Sequence, residues 1–319
     1  MKPCSDDIQQ FRAEFLAWLQ QNGSEEGAWF LDEGPVPETL RTVPAEPVTA
    51  EPVMAEPVMA EPVTVEPVIA APVTVPVPPS RPASPLAPDP DDPFAAECAQ
   101  FVAETLQNYR RQVGSHVPEG AGPGAEADLV VLRDEVLPCT DCALHETRHH
   151  TVFGAGNPRA EVLFIGEAPG RDEDLQGEPF VGASGQLLTK IIGAIGFSRD
   201  DVYICNILKC RPPGNRDPLP EEVARCEPHL QRQLDIIRPR VICCLGRVAA
   251  QTLLKTTASL GALRKTAHFY QGIPVLATYH PAALLRNPGW KRDTWNDVRK
   301  LRALSDALAD PARLGEAGE

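Results

Sequence analysis

Short apolar segments alternate with longer amphipathic segments from residue 126 to residue 308, and this alternation constrains the fold more than any other feature. The apolar segments, which we predict to be strands, span residues 161–166, 202–208, 240–245 and 273–279. The amphipathic segments, which we predict to be helices, span residues 126–137, 184–195, 219–237, 247–255 and 293–308. Buried strands joined by helices form a parallel sheet covered on both faces. The sequence therefore predicts an α/β domain at residues 126–310, with a three-layer α/β/α fold around a mostly parallel, four-stranded sheet.

The first 125 residues have a composition that does not favour a packed core. Residues 33–92 contain about half of the chain's 34 prolines and the repeat AEPVT, AEPVM, AEPVM, AEPVT, VEPVI. A proline at every fifth position excludes a helix and favours extended polyproline II. We predict a disordered acidic linker at 33–92, a short amphipathic helix within residues 1–32, and a helix followed by a Gly/Pro linker at 93–125.

The net charge of −14 argues against a nucleic-acid partner until its distribution along the chain is considered. Residues 1–125 contain 6 Lys/Arg and 19 Asp/Glu, a net charge of −13. Residues 126–319 contain 24 Lys/Arg and 25 Asp/Glu, a net charge of −1. The predicted domain can therefore present a local basic face to a polyanion.

Neither a signal peptide nor a membrane span is indicated by the sequence. Residues 1–20 lack the apolar core of a signal peptide, and no apolar run approaches the roughly 20 residues of a membrane helix. We therefore expect a cytoplasmic protein. Cytosolic thiols stay reduced, so spaced cysteines there favour metal binding over disulfides.

Four of the nine cysteines are candidate metal ligands. They are Cys139, Cys142, Cys210 and Cys226. Thiolates in fours bind iron–sulfur clusters or tetrahedral zinc, and spacing alone does not separate the two. The alternative is that these cysteines are unrelated core residues, which is the role we predict for Cys205, Cys243 and Cys244 inside apolar strands.

Polar motifs follow the predicted strands, at the edge of a parallel sheet where functional groups gather. GEAPGRDED at 166–174 follows the first strand, and EPFVG at 178–182 places Phe180 on a loop. NILKCRPPGNRDP at 206–218 follows the second strand, and HPAALLR at 280–286 follows the last. A phosphate-binding turn is the alternative for the first motif, but it lacks G-x-G-x-x-G and a lysine, and its carboxylates would repel phosphate.

Basic residues accompany the second and last motifs, where they can face the phosphates of a polyanion. They are Lys209, Arg211, Arg216, Arg286, Lys291 and Arg292.

Together these motifs and cysteines resemble the family 4 uracil-DNA glycosylases over roughly residues 126–303. The resemblance implies an enzyme that flips uracil out of DNA, hydrolyses its N-glycosidic bond and leaves an abasic site. One alternative is a non-catalytic protein that binds uracil-containing DNA. Another is a related subgroup that traps DNA covalently through a histidine in a basic inserted loop. Here that loop is CRPPGNRDP, whose lack of histidine disfavours trapping.

The resemblance implies a role for each residue of the substrate pocket. Phe180 would stack on the flipped base, and Asn206 would recognise its edge, accepting from N3–H and donating to O4. His280 would stabilise the negative charge that grows on O2, either as a neutral imidazole or as an imidazolium. Gly166 and Ala168 would complete the pocket.

The water-activating residue is the least defined role, because Ala168 stands where related families have Asp or Asn. We predict that Glu167 takes this role, with Glu173 and Asp174 behind it. Gly170 stands where some relatives have a tyrosine that blocks thymine, and we expect Glu173 to exclude the thymine methyl instead.

The resemblance also favours a [4Fe–4S] cluster over zinc as the cofactor of the four cysteines. Its expected role is structural, linking the segment before the sheet to the Arg211–Asp217 loop. We expect a monomer, associated with the nucleoid, that acts on uracil in single- and double-stranded DNA. We predict that the six basic residues named above contact DNA phosphates.

Overall fold

The four apolar segments form the parallel centre of the sheet in a computed structural model, which describes residue 92, residues 94–114 and residues 120–310. The strands are β1 Ala155–Gly156, β2 Val162–Gly166, β3 Tyr203–Asn206, β4 Val241–Leu245, β5 His268–Tyr270 and β6 Ile273–Thr278. Their order is β1-β3-β2-β4-β6-β5, in which β1 and β5 pair antiparallel at the two edges. The mostly parallel α/β sheet is confirmed, but the predicted number of strands is wrong. The sheet has six strands because a short strand is added at each edge. The prediction missed these two strands because neither contains a long apolar run.

Helices cover both faces of this sheet. They are α1 Ala95–Val113, α2 Ala125–Val136, α3 Arg171–Gln176, α4 Ala183–Ala194, α5 Pro220–Ile237, α6 Arg247–Leu254, α7 Leu260–Leu263, α8 Pro281–Arg286 and α9 Lys291–Leu308. Side chains alternate along β2, so Val162 and Phe164 pack with α1, α4 and α9, whereas Leu163 and Ile165 pack with α2, α5 and α6. This alternation produces three layers.

Helix α1 packs into the same core as the sheet. Phe101, Leu106 and Tyr109 are buried in the hydrophobic cluster that contains α9 and the β2 face. The compact part of the chain therefore begins earlier than residue 126, the limit that the sequence suggested. The predictions for residues 1–91 lie outside the described residues.

The strand order determines where the motif loops meet. The chain runs from β2 to β3 on one side and from β4 towards β6 on the other, so the connections that follow the adjacent strands β2 and β4 diverge above their carboxyl ends. Open parallel sheets bind ligands at such a point. Among the described residues, no helix combines the length and the apolar character that crossing a membrane requires.

Candidate active site

A cleft of about 440 Å³ opens at the carboxyl ends of the parallel strands. Loops that follow β2, β3 and β6 line it, and they bring together Glu167, Phe180, Asn206, His280 and Arg286. Residues separated by up to 119 positions in the chain therefore share one cleft, as expected from the strand-end positions of their motifs.

Asn206 ends β3 and presents an unpaired acceptor to this cleft. Its side chain is buried, and in the described part of the chain its carbonyl oxygen Oδ1 has no hydrogen-bond partner. Gly166 allows this approach, because a Cβ there would overlap Oδ1 and lie 2.5 Å from the Phe180 ring. A buried carbonyl without a partner is costly, so its position favours a ligand with a complementary N–H.

Phe180 forms an aromatic wall of the cleft from a strained backbone. Its φ angle is +54°, in the left-handed region that a phenylalanine rarely adopts. Its ring lies 5.6 Å from the His280 ring, with 33° between the ring planes. Because such a conformation costs about 1–3 kcal/mol, it persists only where surrounding contacts enforce it.

Arg199 and Gly185 supply part of that enforcement. The Arg199 guanidinium donates to the backbone oxygens of Pro179, at 2.8 Å, and Phe180, at 3.1 Å. Gly185 lies directly beneath, where a Cβ would overlap the Phe180 carbonyl. No sequence motif indicated Arg199, because it lies outside all of them and only the tertiary fold brings it to Phe180.

Glu173 holds the other side of the Phe180 loop. Its buried carboxylate accepts from the backbone N–H groups of Gly170, at 3.1 Å, and of Val181 and Gly182, both at 3.0 Å. These bonds tie the loop after β2 to the Phe180 loop. Glu173 also lines the cleft, where these bonds make it a positioning residue, and its predicted catalytic role stays a prediction.

Asp174 is the other acidic residue considered for water activation, and its carboxylate is also engaged by neighbouring groups. Its buried carboxylate accepts from the His149 backbone N–H at 2.9 Å and lies 2.8 Å from His149 Nδ1. Of the three candidate carboxylates, Glu167 is the one whose oxygens no described hydrogen bond engages.

Glu167 lies half-buried in the cleft, beside an exposed ion pair. Burial, and to a smaller extent the nearby Asp217, raises the pKa of Glu167 to about 6, while Arg247 opposes the shift. Arg247 is itself paired with Asp217 at 3.0 Å. A carboxyl with this pKa is largely ionised at neutral pH and basic enough to accept a proton from water.

His280 begins helix α8 and is held in one tautomer. Its Nδ1 accepts from the backbone N–H of Ala282 at 3.1 Å, so the proton of the neutral ring resides on Nε2. Burial, and to a smaller extent Arg286, lowers the pKa of His280 to about 4. Of the two states that the sequence left open, the structure favours a neutral imidazole that donates from Nε2.

The predicted basic residues fall into different environments. Arg286 and Arg292 are exposed, and Arg286 also lines the cleft. Lys291 is half-buried, and burial followed by the nearby Lys190 lowers its pKa to about 8, so it stays mostly charged at neutral pH. These positions are compatible with phosphate contacts.

Two further basic residues are held by the loop after β3. Arg211 donates to Asn215 Oδ1 at 2.7 Å. Arg216 forms a two-point ion pair with the buried carboxylate of Glu222, at 2.5 and 2.9 Å. Arg216 therefore has an internal partner that stabilises this loop beside the cleft.

Lys209 is not at the surface, so its prediction as a DNA contact is wrong. Its side chain is 1% exposed, and Nζ donates to the backbone oxygen of Asn206 at 2.9 Å and to Gln233 Oε1 at 2.5 Å. Gln233 in turn donates to Phe153 O at 2.9 Å. The motif indicated a basic loop, but the end of β3 turns this residue inward under the cleft.

The four candidate metal ligands line one small cavity next to the cleft. They are Cys139, Cys142, Cys210 and Cys226. Two sulfurs already accept hydrogen bonds, Cys210 from Arg148 at 3.1 Å and Cys226 from the Lys209 backbone N–H at 3.2 Å. Donors of this kind stabilise thiolate ligands, so the donor set fits a cysteine-bound metal centre.

A histidine and an aspartate also border this cavity. Cys139 Sγ lies 3.4 Å from His229 Nε2, and Asp141 completes a group whose ligand atoms lie within 4.8 Å of one another. Burial raises the pKa of the Cys226 thiol to about 11, so loading a metal must displace protons. Cys205, Cys243 and Cys244 are fully buried in the sheet, which confirms them as core residues.

Comparisons with known proteins agree with this geometry. Residues 153–299 match the family model of the uracil DNA glycosylase superfamily. A type-4 uracil-DNA glycosylase of Archaeoglobus fulgidus is 50% identical over 178 residues, 53% of this chain and 89% of that protein. A type-4 uracil-DNA glycosylase of Thermotoga maritima is 40% identical over 179 residues, 55% of this chain and 93% of that protein. A type-5 uracil-DNA glycosylase of Pyrobaculum aerophilum is 36% identical over 151 residues, 42% of this chain and 66% of that protein.

Proposed function

The chain belongs to the type-4 uracil-DNA glycosylases of the uracil DNA glycosylase superfamily, and from that membership we propose how its cleft removes uracil from DNA. The protein is a DNA-repair glycosylase that acts on uracil-containing DNA. The bond that breaks joins C1′ of the deoxyribose to N1 of uracil, and water supplies the new substituent at C1′. Uracil leaves as an anion, so the cleft must recognise the base, stabilise its charge and position water.

Recognition of uracil rests on the unpaired acceptor of Asn206, which is the observation that carries the proposal. Its Oδ1 accepts from uracil N3–H, which satisfies the buried carbonyl. The amide nitrogen donates to O4. Cytosine presents the opposite pattern at these positions and would leave buried polar groups unpaired. Phe180 stacks on the flipped base, an interaction worth about 1–3 kcal/mol, and so offsets the cost of removing it from the duplex.

His280 stabilises the departing base. The Nε2–H of its neutral imidazole donates to uracil O2 as negative charge develops there. A fixed donor in a buried site needs no reorganisation during the reaction, and losing one such donor typically costs about 10²–10³ in rate. The Ala282 N–H bond at 3.1 Å keeps this proton on Nε2.

Glu167 positions the attacking water and accepts its proton. Its carboxylate lines the cleft, and burial raises its pKa to about 6, which is close to neutral pH and therefore suits a general base. Glu173 contributes indirectly, by holding the loop that carries Phe180.

The cysteine cavity holds a [4Fe–4S] cluster in this proposal, with Cys139, Cys142, Cys210 and Cys226 as ligands. Bound by these four thiolates, the cluster would cross-link the segments that carry them, and it would supply no redox step because hydrolysis transfers no electrons. Through Cys210 it would hold the loop after β3, which borders the cleft. Arg148 and the Lys209 backbone N–H stabilise the thiolates.

The function is tested by incubating the protein with a uracil-containing oligonucleotide and then cleaving abasic sites with alkali. Free uracil and alkali-sensitive strands are expected without added metal or nucleotide. In Asn206→Asp the carboxylate offers O4 no donor and repels the anion, so release should fall sharply. Tight binding of uracil-DNA without any abasic product would instead support the non-catalytic alternative.

The cofactor is tested on protein purified without oxygen. A brown protein with broad absorbance near roughly 400 nm, containing iron and sulfide, is expected of a thiolate-bound cluster. Cys226→Ser should reduce the iron content and the folded yield. Colourless, fully active protein that contains stoichiometric zinc would contradict the assignment. A monomeric state and a location at the nucleoid stay predictions.

A further inference from the structure

Trp290 is an exposed aromatic residue on the segment that joins α8 to α9. It ends a 3₁₀ turn at Pro288–Trp290, and 40% of its surface is exposed. Among the described residues it is the only tryptophan, tyrosine or phenylalanine that is exposed. A single exposed aromatic ring is unremarkable by itself, so its support and its surroundings decide what it can do.

The Trp290 ring is held rigidly from one side. It stacks on Tyr279 with ring centroids 4.6 Å apart and 13° between the planes. The Arg264 guanidinium lies 4.2 Å from the centroid of Tyr279. Asp297 accepts from Arg264 Nε at 2.6 Å and from Thr278 at 2.8 Å, which anchors this column in the sheet. A ring fixed in advance loses little entropy when a ligand stacks on it.

The column stands next to the uracil cleft. Tyr279 precedes His280 in the chain, and α8, which leads from His280 toward Trp290, contributes Arg286 to the cleft wall. Arg292 is exposed two residues after Trp290. Asp293 is also close in sequence, but its carboxylate is paired with Arg264 at 3.3 Å.

Aromatic rings beside cations at a DNA-binding cleft are the typical device for holding single strands. Every base has a face that can stack, whereas the cations follow the phosphates. In a duplex the bases beside a flipped nucleotide remain paired and stacked, so an external ring gains little from them. In a single strand those bases are free to stack elsewhere.

We propose that Trp290 is a stacking platform for a nucleobase adjacent to the flipped uracil in single-stranded DNA. This inference rests on the proposed function, since the uracil cleft defines where the neighbouring base lies. It assigns the protein a subsite that favours single-stranded over double-stranded uracil-DNA. Trp290 acts in binding, while the groups that cleave the bond are unchanged.

The experiment compares two probes that cannot be cleaved. One is a single-stranded oligonucleotide with 2′-fluoro-2′-deoxyuridine at its centre, and the other is the same strand annealed to its complement. Trp290→Ala should weaken binding to the single strand between about five- and a hundredfold, with a loss several times smaller on the duplex. Trp290→Phe, which keeps a ring, should retain most of the affinity.

Arg292→Ala is the matched control, because losing a phosphate contact should weaken both probes similarly. A Trp290→Ala variant that binds both probes like the wild type, or loses equally on both, would overturn the inference. If the wild type binds neither probe more tightly than the same strand with thymidine, the proposed function fails instead. The two failures are therefore distinguishable.

Discussion

Protonation at neutral pH is decided by burial at two residues of the cleft. Glu167 has its pKa raised to about 6 and His280 has its pKa lowered to about 4, in each case mainly because burial disfavours the charged form. Above pH 6 the cleft therefore combines a carboxylate with a neutral imidazole donor. A base and a hydrogen-bond donor are the two groups that hydrolysis with an anionic leaving group requires.

The pH dependence of cleavage follows from these two values. Below pH 6 Glu167 becomes protonated and can no longer accept a proton, so the single-turnover rate should fall about tenfold per pH unit. His280 stays neutral until about pH 4 and adds no step above that value. Glu167→Gln should be slow and should lose the decline near pH 6. If the decline persists in this variant, another group controls it.

The Phe180 backbone should depend on Arg199, which donates to the carbonyls of Pro179 and Phe180. Arg199→Met removes both bonds and should weaken binding to a non-cleavable uracil duplex by about tenfold, since stacking on Phe180 is worth about 1–3 kcal/mol. The affinity of Arg199→Lys for this duplex should lie between that of Arg199→Met and that of the wild type.

Thr189→Val is the control for this experiment. It removes the long contact of 3.4 Å between Arg199 and Thr189 and the Thr189 hydroxyl bond to the Gly185 backbone oxygen at 3.1 Å, and it leaves both carbonyl bonds of Arg199 in place. Uracil binding at the wild-type level in Arg199→Met, with only the melting temperature lowered, would show that Arg199 stabilises the fold without positioning Phe180.

The segment at residues 206–210, which begins at the last residue of β3, connects the uracil cleft with the metal cavity. Asn206 faces the uracil cleft, Lys209 is buried beneath it, and Cys210 reaches the metal cavity. The Lys209 ammonium bonds the Asn206 carbonyl, while its backbone N–H bonds Cys226. A disturbance in either region is therefore transmitted through five consecutive residues.

Substitution of Lys209 should change stability and not the salt dependence of DNA binding. Lys209→Met leaves the backbone oxygen of Asn206 and the side-chain Oε1 of Gln233 without their donor, which costs about 1–3 kcal/mol of folding stability for each unsatisfied group. Thermal melting should report this loss. The slope of DNA affinity against salt should stay constant, whereas Arg292→Ala should reduce it by about one phosphate contact. A reduced slope in Lys209→Met would restore the DNA-contact role.

Helix α1 completes the core at the scale of the whole molecule. Phe101, Leu106 and Tyr109 pack with α9, and Lys300 of α9 pairs with Glu97 at 2.7 Å. Arg299 also pairs with Asp92, just before the helix. The folded unit therefore includes a segment that the family motifs do not cover.

Two truncations separate this helix from the acidic N-terminal region. Removal of residues 1–91 keeps Asp92 and α1, so melting temperature and uracil release from short oligonucleotides should stay near those of the full chain. Removal of residues 1–113 takes away Phe101, Leu106 and Tyr109, exposes the apolar surface of α9 against which they pack, and should give unstable or insoluble protein. A stable, active product of the longer deletion would show that α1 is dispensable.

The parallel sheet, the strand-end cleft and the core cysteines could all be predicted from sequence patterns. Short continuous apolar strands and helices with a 3.6-residue period are local patterns, and parallel strands place their carboxyl ends at one edge. The two edge strands were missed because Ala155–Gly156 and His268–Tyr270 are too short to show a pattern.

The environment of each polar side chain depends on the tertiary structure and could not be predicted from local sequence. Lys209 and Arg292 look alike in sequence, but one lies under the sheet edge and the other at the surface. Glu167 and Glu173 are six residues apart and both line the cleft, yet backbone N–H groups engage the Glu173 carboxylate and no described hydrogen bond engages that of Glu167. Burial and hydrogen-bond partners come from residues distant in the chain, so protonation, tautomer and accessibility follow from packing and not from local sequence.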